Sequence, residues 1–149
     1  MIDAALLVAR LISVVPDFVD LPPAVQRSTY QRAVRLAPIV ARAHRAERKH
    51  RVATFTIRRL WEESSFRLDR VGLHGERGPA QILPSTGAWL CADLDWSDDP
   101  TDNVRCMLRV TDHYGRRCDD LTAGYTTGSC PPKKRNQNTG ERPHGHLRK

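Results

Sequence analysis

Residues 61–86 read Trp61-Glu-Glu-Ser-Ser-Phe66, then Arg67-Leu-Asp-Arg-Val-Gly-Leu-His74, then Gly75-Glu-Arg-Gly-Pro-Ala-Gln-Ile-Leu-Pro-Ser-Thr86, and the fold turns on how this stretch divides. Just ahead of it Ile57, Leu60 and Trp61 recur at helical spacing, which predicts a helix from Thr54 to about Ser65. Gly72, Gly75 and Gly78 then predict a loop or a short strand pair over 68–78. Pro84-Ser85-Thr86 signals a new helix over Gly87–Ala92, with Ser85 or Thr86 as its cap.

Upstream, Asp3–Val15 is apolar on most faces and predicts a short buried helix, after which Leu21-Pro-Pro23 punctuates the chain. Ser28 is placed to cap a helix carrying Tyr30, Ala33, Val34 and Ala37. Pro38 reads as the first turn of a fresh helix reaching about Lys49, because proline inside a helix removes a hydrogen bond. Arg42, Arg45, Arg48 and Lys49 fall on the outer, solvated face of that helix. Downstream, Asp93–Asp102 is acidic and turn-rich, and Asn103–Tyr114 and Asp119–Tyr125 read as helices. The near absence of apolar residues from Pro131 on predicts a disordered tail. There is no internal repeat and no strand-period segment long enough for a large sheet. The expectation is a mainly α protein: a helical lead-in over 1–26, a main domain over 27–130 and a basic tail over 131–149.

The chain has 149 residues, a length at which one domain is the default and roughly 70% of the unfolded surface can be buried. With 28% charged and 40% hydrophobic residues it is neither a collagen nor a disordered chain. No apolar run approaches the ~20 residues needed to span a bilayer, the longest, Ala4–Val15, being interrupted by Arg10. Asp3 at the start and the lack of a small-x-small cleavage site argue against a secretory signal. The net charge of +7, with a pI near 9.7, favours an anionic partner, and it is unevenly spread. Residues 27–60 carry ten bases and one acid, 61–130 seven bases and twelve acids, and the tail six bases and one acid. The stretch quoted above therefore lies in an acidic segment.

Counted from Glu63, the residues Ser64, Phe66, Gly75, Gly78, Gln81, Ile82, Pro84 and Thr86 fall without a gap on a known pattern. The chain resembles the soluble lytic transglycosylase domain, a relative of goose-type lysozyme, whose core reads Glu-Ser-x-Phe and then Gly-Ala-x-Gly-Leu-Met-Gln-Ile-x-Pro-x-Thr. Asp102-Asn103-Val104 resembles that family's Asn-Ile helix start, and Ala123-Gly-Tyr125-Thr-Thr-Gly128 its Ala-Tyr-Asn-x-Gly motif. The likeness covers residues 30 to 130. It implies a lysozyme-like helical domain with a small loop or β-hairpin beside the cleft. Its implied substrate is the peptidoglycan glycan strand, and no cofactor or metal is implied.

The register selects Glu63 over Glu62 as the catalytic residue. Breaking a glycosidic bond requires a proton on the leaving oxygen, and a carboxyl keeps its proton near neutral pH when desolvated among apolar neighbours. The resemblance implies one Glu acting first as acid and then as base, with the muramoyl C6 hydroxyl attacking the anomeric carbon to leave a 1,6-anhydro end. It also implies that Ser64 holds the Glu63 carboxylate, that Gln81 and the backbone around Ile82 bind the N-acetyl group, and that Tyr125 orients the acid. Gly75 and Gly78 would let the backbone approach the glycan, while Phe66, Thr86 and Asn103 complete the motif. Trp61, Trp89 and Trp96 are assigned to the core. The sequence departs from the family at Arg70, Glu76, Pro79-Ala80 and Thr126, and the Arg58-Arg59 pair stands in a helix that is usually apolar; Glu76 is either a second carboxylate near the cleft or a turn residue.

Cys91, Cys106, Cys118 and Cys130 have no CxxC spacing, and His74, His113, His144 and His146 add no ligand cluster, so disulfides are expected rather than zinc. Of three pairings, Cys91 with Cys106 and Cys118 with Cys130 is preferred, because each clamps a helix or loop flanking Asn103 or Tyr125. Disulfides and a peptidoglycan substrate both point to the envelope, periplasm or exterior, reached by phage or secretion-linked delivery. A monomer is expected, with anionic envelope polymers as further partners. The rivals are a muramidase that uses water and, from another class, a basic nucleic-acid-binding module. The second lacks a helix-turn-helix, a zinc finger or an aromatic stacking platform.

Overall fold

A computed structural model of the chain describes residues 3–117. Tyr125, Thr126, Cys118, Cys130, the helix expected over 119–125 and the tail over 131–149 lie outside these residues. Five helices make up the described part: α1 (Ala4–Ser13), α2 (Pro23–Ala46), α3 (Thr54–Ser64), α4 (Pro84–Leu90) and α5 (Pro100–Arg117), with a 3-10 turn at Phe18–Asp20. There is no strand among the described residues. The protein is mainly α, and residues up to His113 belong to one compact unit.

Asp3 caps α1, its carboxylate accepting the N–H of Ala5 at 2.8 Å and of Leu6 at 3.3 Å. Leu7 and Leu11, one turn apart, are buried, and α1 packs against α2 and α3. Arg10 ties α1 to the connection before α3 by donating to the Val52 carbonyl at 2.8 Å.

The expected break at Pro38 is not there. α2 is one 24-residue helix that starts with Pro23 in its first turn, crosses residue 26 and continues through Pro38. Proline inside a helix costs about 3 kcal/mol. Ala33, Leu36, Ala37, Ile39, Val40, Ala41, Ala43 and His44 form a buried stripe on both sides of it. Each large aliphatic side chain in such a stripe contributes about 1.5–3 kcal/mol, so the stripe outweighs the lost bond. Ser28 is mid-helix rather than a cap: its hydroxyl donates to the Val25 carbonyl at 3.1 Å and accepts from Arg32 at 3.0 Å. Beyond α2, Glu47 accepts from Arg105 at 2.9 Å and Lys49 pairs with Asp112 at 2.7 Å, tying this connection to α5. Lys49 thus leaves the solvated face to which the sequence assigned it, whereas Arg42, Arg45 and Arg48 are exposed as expected.

α4 and α5 each begin earlier than expected. Pro84 is the first residue of α4 and Leu83 its N-cap, so Ser85 and Thr86 lie inside the helix. Asp99 caps α5, its carboxylate accepting from Thr101 at 2.7 Å and Asp102 at 2.9 Å, and this places Asn103 inside the first turns. Val104, Cys106, Met107 and Leu108 on α5 are buried, as are Leu11, Leu36, Val40, Ile57, Leu60 and Phe66. The Cys91–Cys106 disulfide joins the end of α4 to α5, with a Cα–Cα distance of 5.6 Å. No helix among the described residues is long and apolar enough to cross a membrane.

Candidate active site around Glu63

Thr56, Ile57, Leu60 and Ser64 form the buried stripe of α3, which leaves Glu62 exposed and Glu63 half-buried in its last turn. The helix stops because Ser65 and Phe66 both take positive φ, 51° and 64°. Each such non-glycine residue costs about 1–2 kcal/mol. The Ser65 N–H still reaches the Trp61 carbonyl at 2.7 Å. The reversal drives Phe66 into the core, where it meets Trp61 edge-on with ring centroids 5.2 Å apart. Strained backbone beside a titratable side chain is a recurrent mark of functional sites.

The segment that follows is a loop held by two isolated antiparallel bridges, Val71 with Arg77 and Arg77 with Ile82. Arg77 and Ile82 exchange both backbone hydrogen bonds at 3.1 Å. Gly75 (φ 83°) and Gly78 (φ 75°) occupy conformations that glycine adopts without strain. The Asn103 carboxamide fastens the loop to α5. Asn103 is buried; its oxygen accepts the Ala80 N–H at 2.9 Å, and its nitrogen donates to the Arg77 and Trp96 carbonyls at 2.8 Å each. Trp96 in turn covers Gly87 of α4, where any side chain would run into the indole.

The expected site residues divide between the carboxyl and its support. Glu63 is 26% exposed, and its Oε1 pairs with Arg59 Nη2. Burial pushes its carboxyl above the usual range, against the pull of Arg59; Glu62 and Glu76 push it further up, and Arg70 pulls it down. Glu76 has the opposite character, held below the usual range by hydrogen bonds from backbone N–H groups, its own and that of His74. The His74 bond is 2.9 Å long. Two carboxyls, one ending α3 and one on the loop that follows it, thus have proton affinities displaced in opposite senses, a pattern that separates acid and base roles.

Ser64 is buried and its hydroxyl donates to the Leu60 carbonyl at 3.0 Å, so it secures the last turn of α3 rather than the Glu63 carboxylate. Gln81, itself at positive φ (48°), donates to the Arg70 and Gly78 carbonyls at 3.0 and 2.8 Å and braces the loop from inside. Ile82 is buried, and its backbone N–H and carbonyl are both hydrogen-bonded to Arg77. Thr86 lies half-exposed in α4. Trp61 and Trp96 are partly buried, but Trp89 is 59% exposed and meets His113 edge-on at 4.8 Å, which corrects its assignment to the core.

Two residues take roles that the sequence reading did not give them. Arg59 is drawn along α3 to Glu62 and Glu63, three and four residues on, a spacing that brings side chains together on a helix. Gly72 lies under the Glu76 carboxylate, and a Cβ there would run into that carboxylate and lie 3.0 Å from Gln81 Oε1. Among the described residues no group of three His, Cys, Asp or Glu side chains is arranged to hold a metal ion. Comparison of the chain with protein-family models, curated proteins and solved structures finds no match.

Proposed function

We propose that the protein is a peptidoglycan lytic transglycosylase that cleaves the β-1,4 bond between N-acetylmuramic acid and N-acetylglucosamine, with Glu63 as its acid and base. The observation that carries this reading is the Glu63 carboxyl itself. It is partly desolvated at the end of α3, its proton affinity is raised, and it feels the charges of Arg70 and Glu76 on a loop braced by Gln81 and Asn103. The ungapped run from Glu63 to Thr86, which resembles the transglycosylase motif, supports the same assignment. Glu63 gives its proton to the glycosidic oxygen as the C1–O4 bond breaks. It then takes the proton of the C6 hydroxyl as the C1–O6 bond forms, so the proton balance closes and no water is used.

Glu76 favours a second reading, a muramidase that uses water. It is held ionised on the loop that follows α3, its charge acts on Glu63, and an ionised carboxylate near the acid is what a hydrolytic route needs. Digestion of purified sacculi with mass spectrometry of the released fragments separates the two. Ends lighter by one water support the transglycosylase, whereas reducing ends select the muramidase. Release of no fragments contradicts both.

A further inference from the structure

Arg58 and Arg59 are adjacent in α3 but differently placed. Arg58 is exposed, whereas the Arg59 side chain is only 16% exposed. Its Nη1 donates to Glu62 Oε2 at 2.9 Å, and its Nη2 pairs with Glu63 Oε1. One guanidinium fork therefore holds two consecutive carboxylates. The planar fork suits such sharing, and charge-assisted bonds of this kind are about twice as strong as neutral ones.

The sharing has a chemical consequence. When Glu63 carries a proton its attraction to Arg59 weakens, and Glu62, 44% exposed, still retains the guanidinium. When Glu63 has given its proton away, the new negative charge meets a guanidinium already in position. The other charged groups acting on Glu63 are Arg70 and Glu76 on the loop that follows α3, one favouring the carboxylate and one the acid. Burial and the two Glu neighbours thus oppose the two Arg neighbours, and Arg59 is the one bonded to the carboxylate.

We propose that Arg59 is a positioning residue shared between Glu62 and Glu63, which fixes the Glu63 carboxylate after proton donation, rests on Glu62 while Glu63 is protonated, and so sets the pH range of the site. This rests on Glu63 being the acid and base of the reaction proposed above. A merely structural Arg59 would brace the helix end without control of the proton.

The test compares Arg59→Gln and Glu62→Gln in the full chain by two readouts, the pH profile of sacculus cleavage and the titration of the Glu63 carboxyl by carbon NMR. Loss of Arg59 removes a charge that favours the carboxylate, so the basic limb of kcat/KM and the Glu63 titration move to higher pH. Loss of Glu62 removes a negative neighbour and leaves the guanidinium to Glu63 alone, so both move to lower pH. Arg59→Lys keeps the charge, and its titration stays closer to wild type than that of Arg59→Gln. Shifts of one sign in both Gln variants, or no shift in either, overturn the proposal. Opposed NMR shifts in a protein that cleaves no wall uphold the hold of Arg59 on Glu63 while removing the transglycosylase reading, so the two fail separately.

Discussion

The Asn103 carboxamide lies so close over Gly78 that a Cβ on the glycine would fall 2.5 Å from Asn103 Cγ and 2.7 Å from its oxygen and nitrogen. This contact lets one side chain reach Ala80, Arg77 and Trp96 at once and joins the loop that follows α3 to α5. Gly78→Ala meets both the positive φ, about 1–2 kcal/mol, and displacement of a buried amide with three hydrogen bonds, each about 1 kcal/mol. It is expected to destabilise the protein by about 3 kcal/mol or more in urea unfolding. Gly75→Ala, whose Cβ would meet only Pro84 at 3.5 Å, carries the φ penalty alone and is expected to cost about 1–2 kcal/mol. Equal losses in the two variants would contradict the role given to Asn103.

The Cys91–Cys106 disulfide closes a segment of 15 residues that contains Trp96 and the Asp99 cap. A loop of this length contributes about 3 kcal/mol through the unfolded chain. Cys91→Ala with Cys106→Ala is expected to lower the unfolding free energy by that amount, measured by denaturant titration. An unchanged midpoint would show that the bridge adds nothing to the fold.

Glu63 makes stability depend on pH in an unusual sense. Its proton affinity is raised in the folded state, so between the ordinary carboxyl pKa and the folded one the native state binds more protons than the unfolded chain. Stability contributed by Glu63 is therefore complete below the unfolded value and falls as pH rises through the folded value. Relative to wild type, Glu63→Gln should gain in stability from acid to neutral pH. Urea unfolding of both proteins across that range checks it. A relative loss towards neutrality would mean that the Arg59 pair outweighs burial.

The helices were legible because their apolar residues recur with the helical period, as at Ile57 and Leu60, and the Cys91–Cys106 pairing preferred for clamping the Asn103 region is the one formed. Pro38 misled because local propensity is weaker than a stripe of buried Leu36, Ile39 and Val40, whose partners are distant in sequence. Glu63 stood out by its register. The Arg59 pairs follow from its position three and four residues before Glu62 and Glu63 once α3 is recognised, but the sequence reading places Arg59 only as a departure from an apolar helix. Gln81 and Ile82 were singled out for sugar binding and Asn103 as part of the motif; their hydrogen bonds hold the loop together. Hydrogen-bond partners on other elements are not written in local sequence.

The measurement closest to the central claim is the release of soluble fragments from purified sacculi by wild type and by Glu63→Gln, with circular dichroism confirming that both are folded. The amide retains the shape of the carboxyl but cannot give up a proton and take it back. Wild type is expected to release fragments with 1,6-anhydro ends, and Glu63→Gln to release none above background. Near-wild-type release by the folded Glu63→Gln protein would contradict the assignment of Glu63 as acid and base.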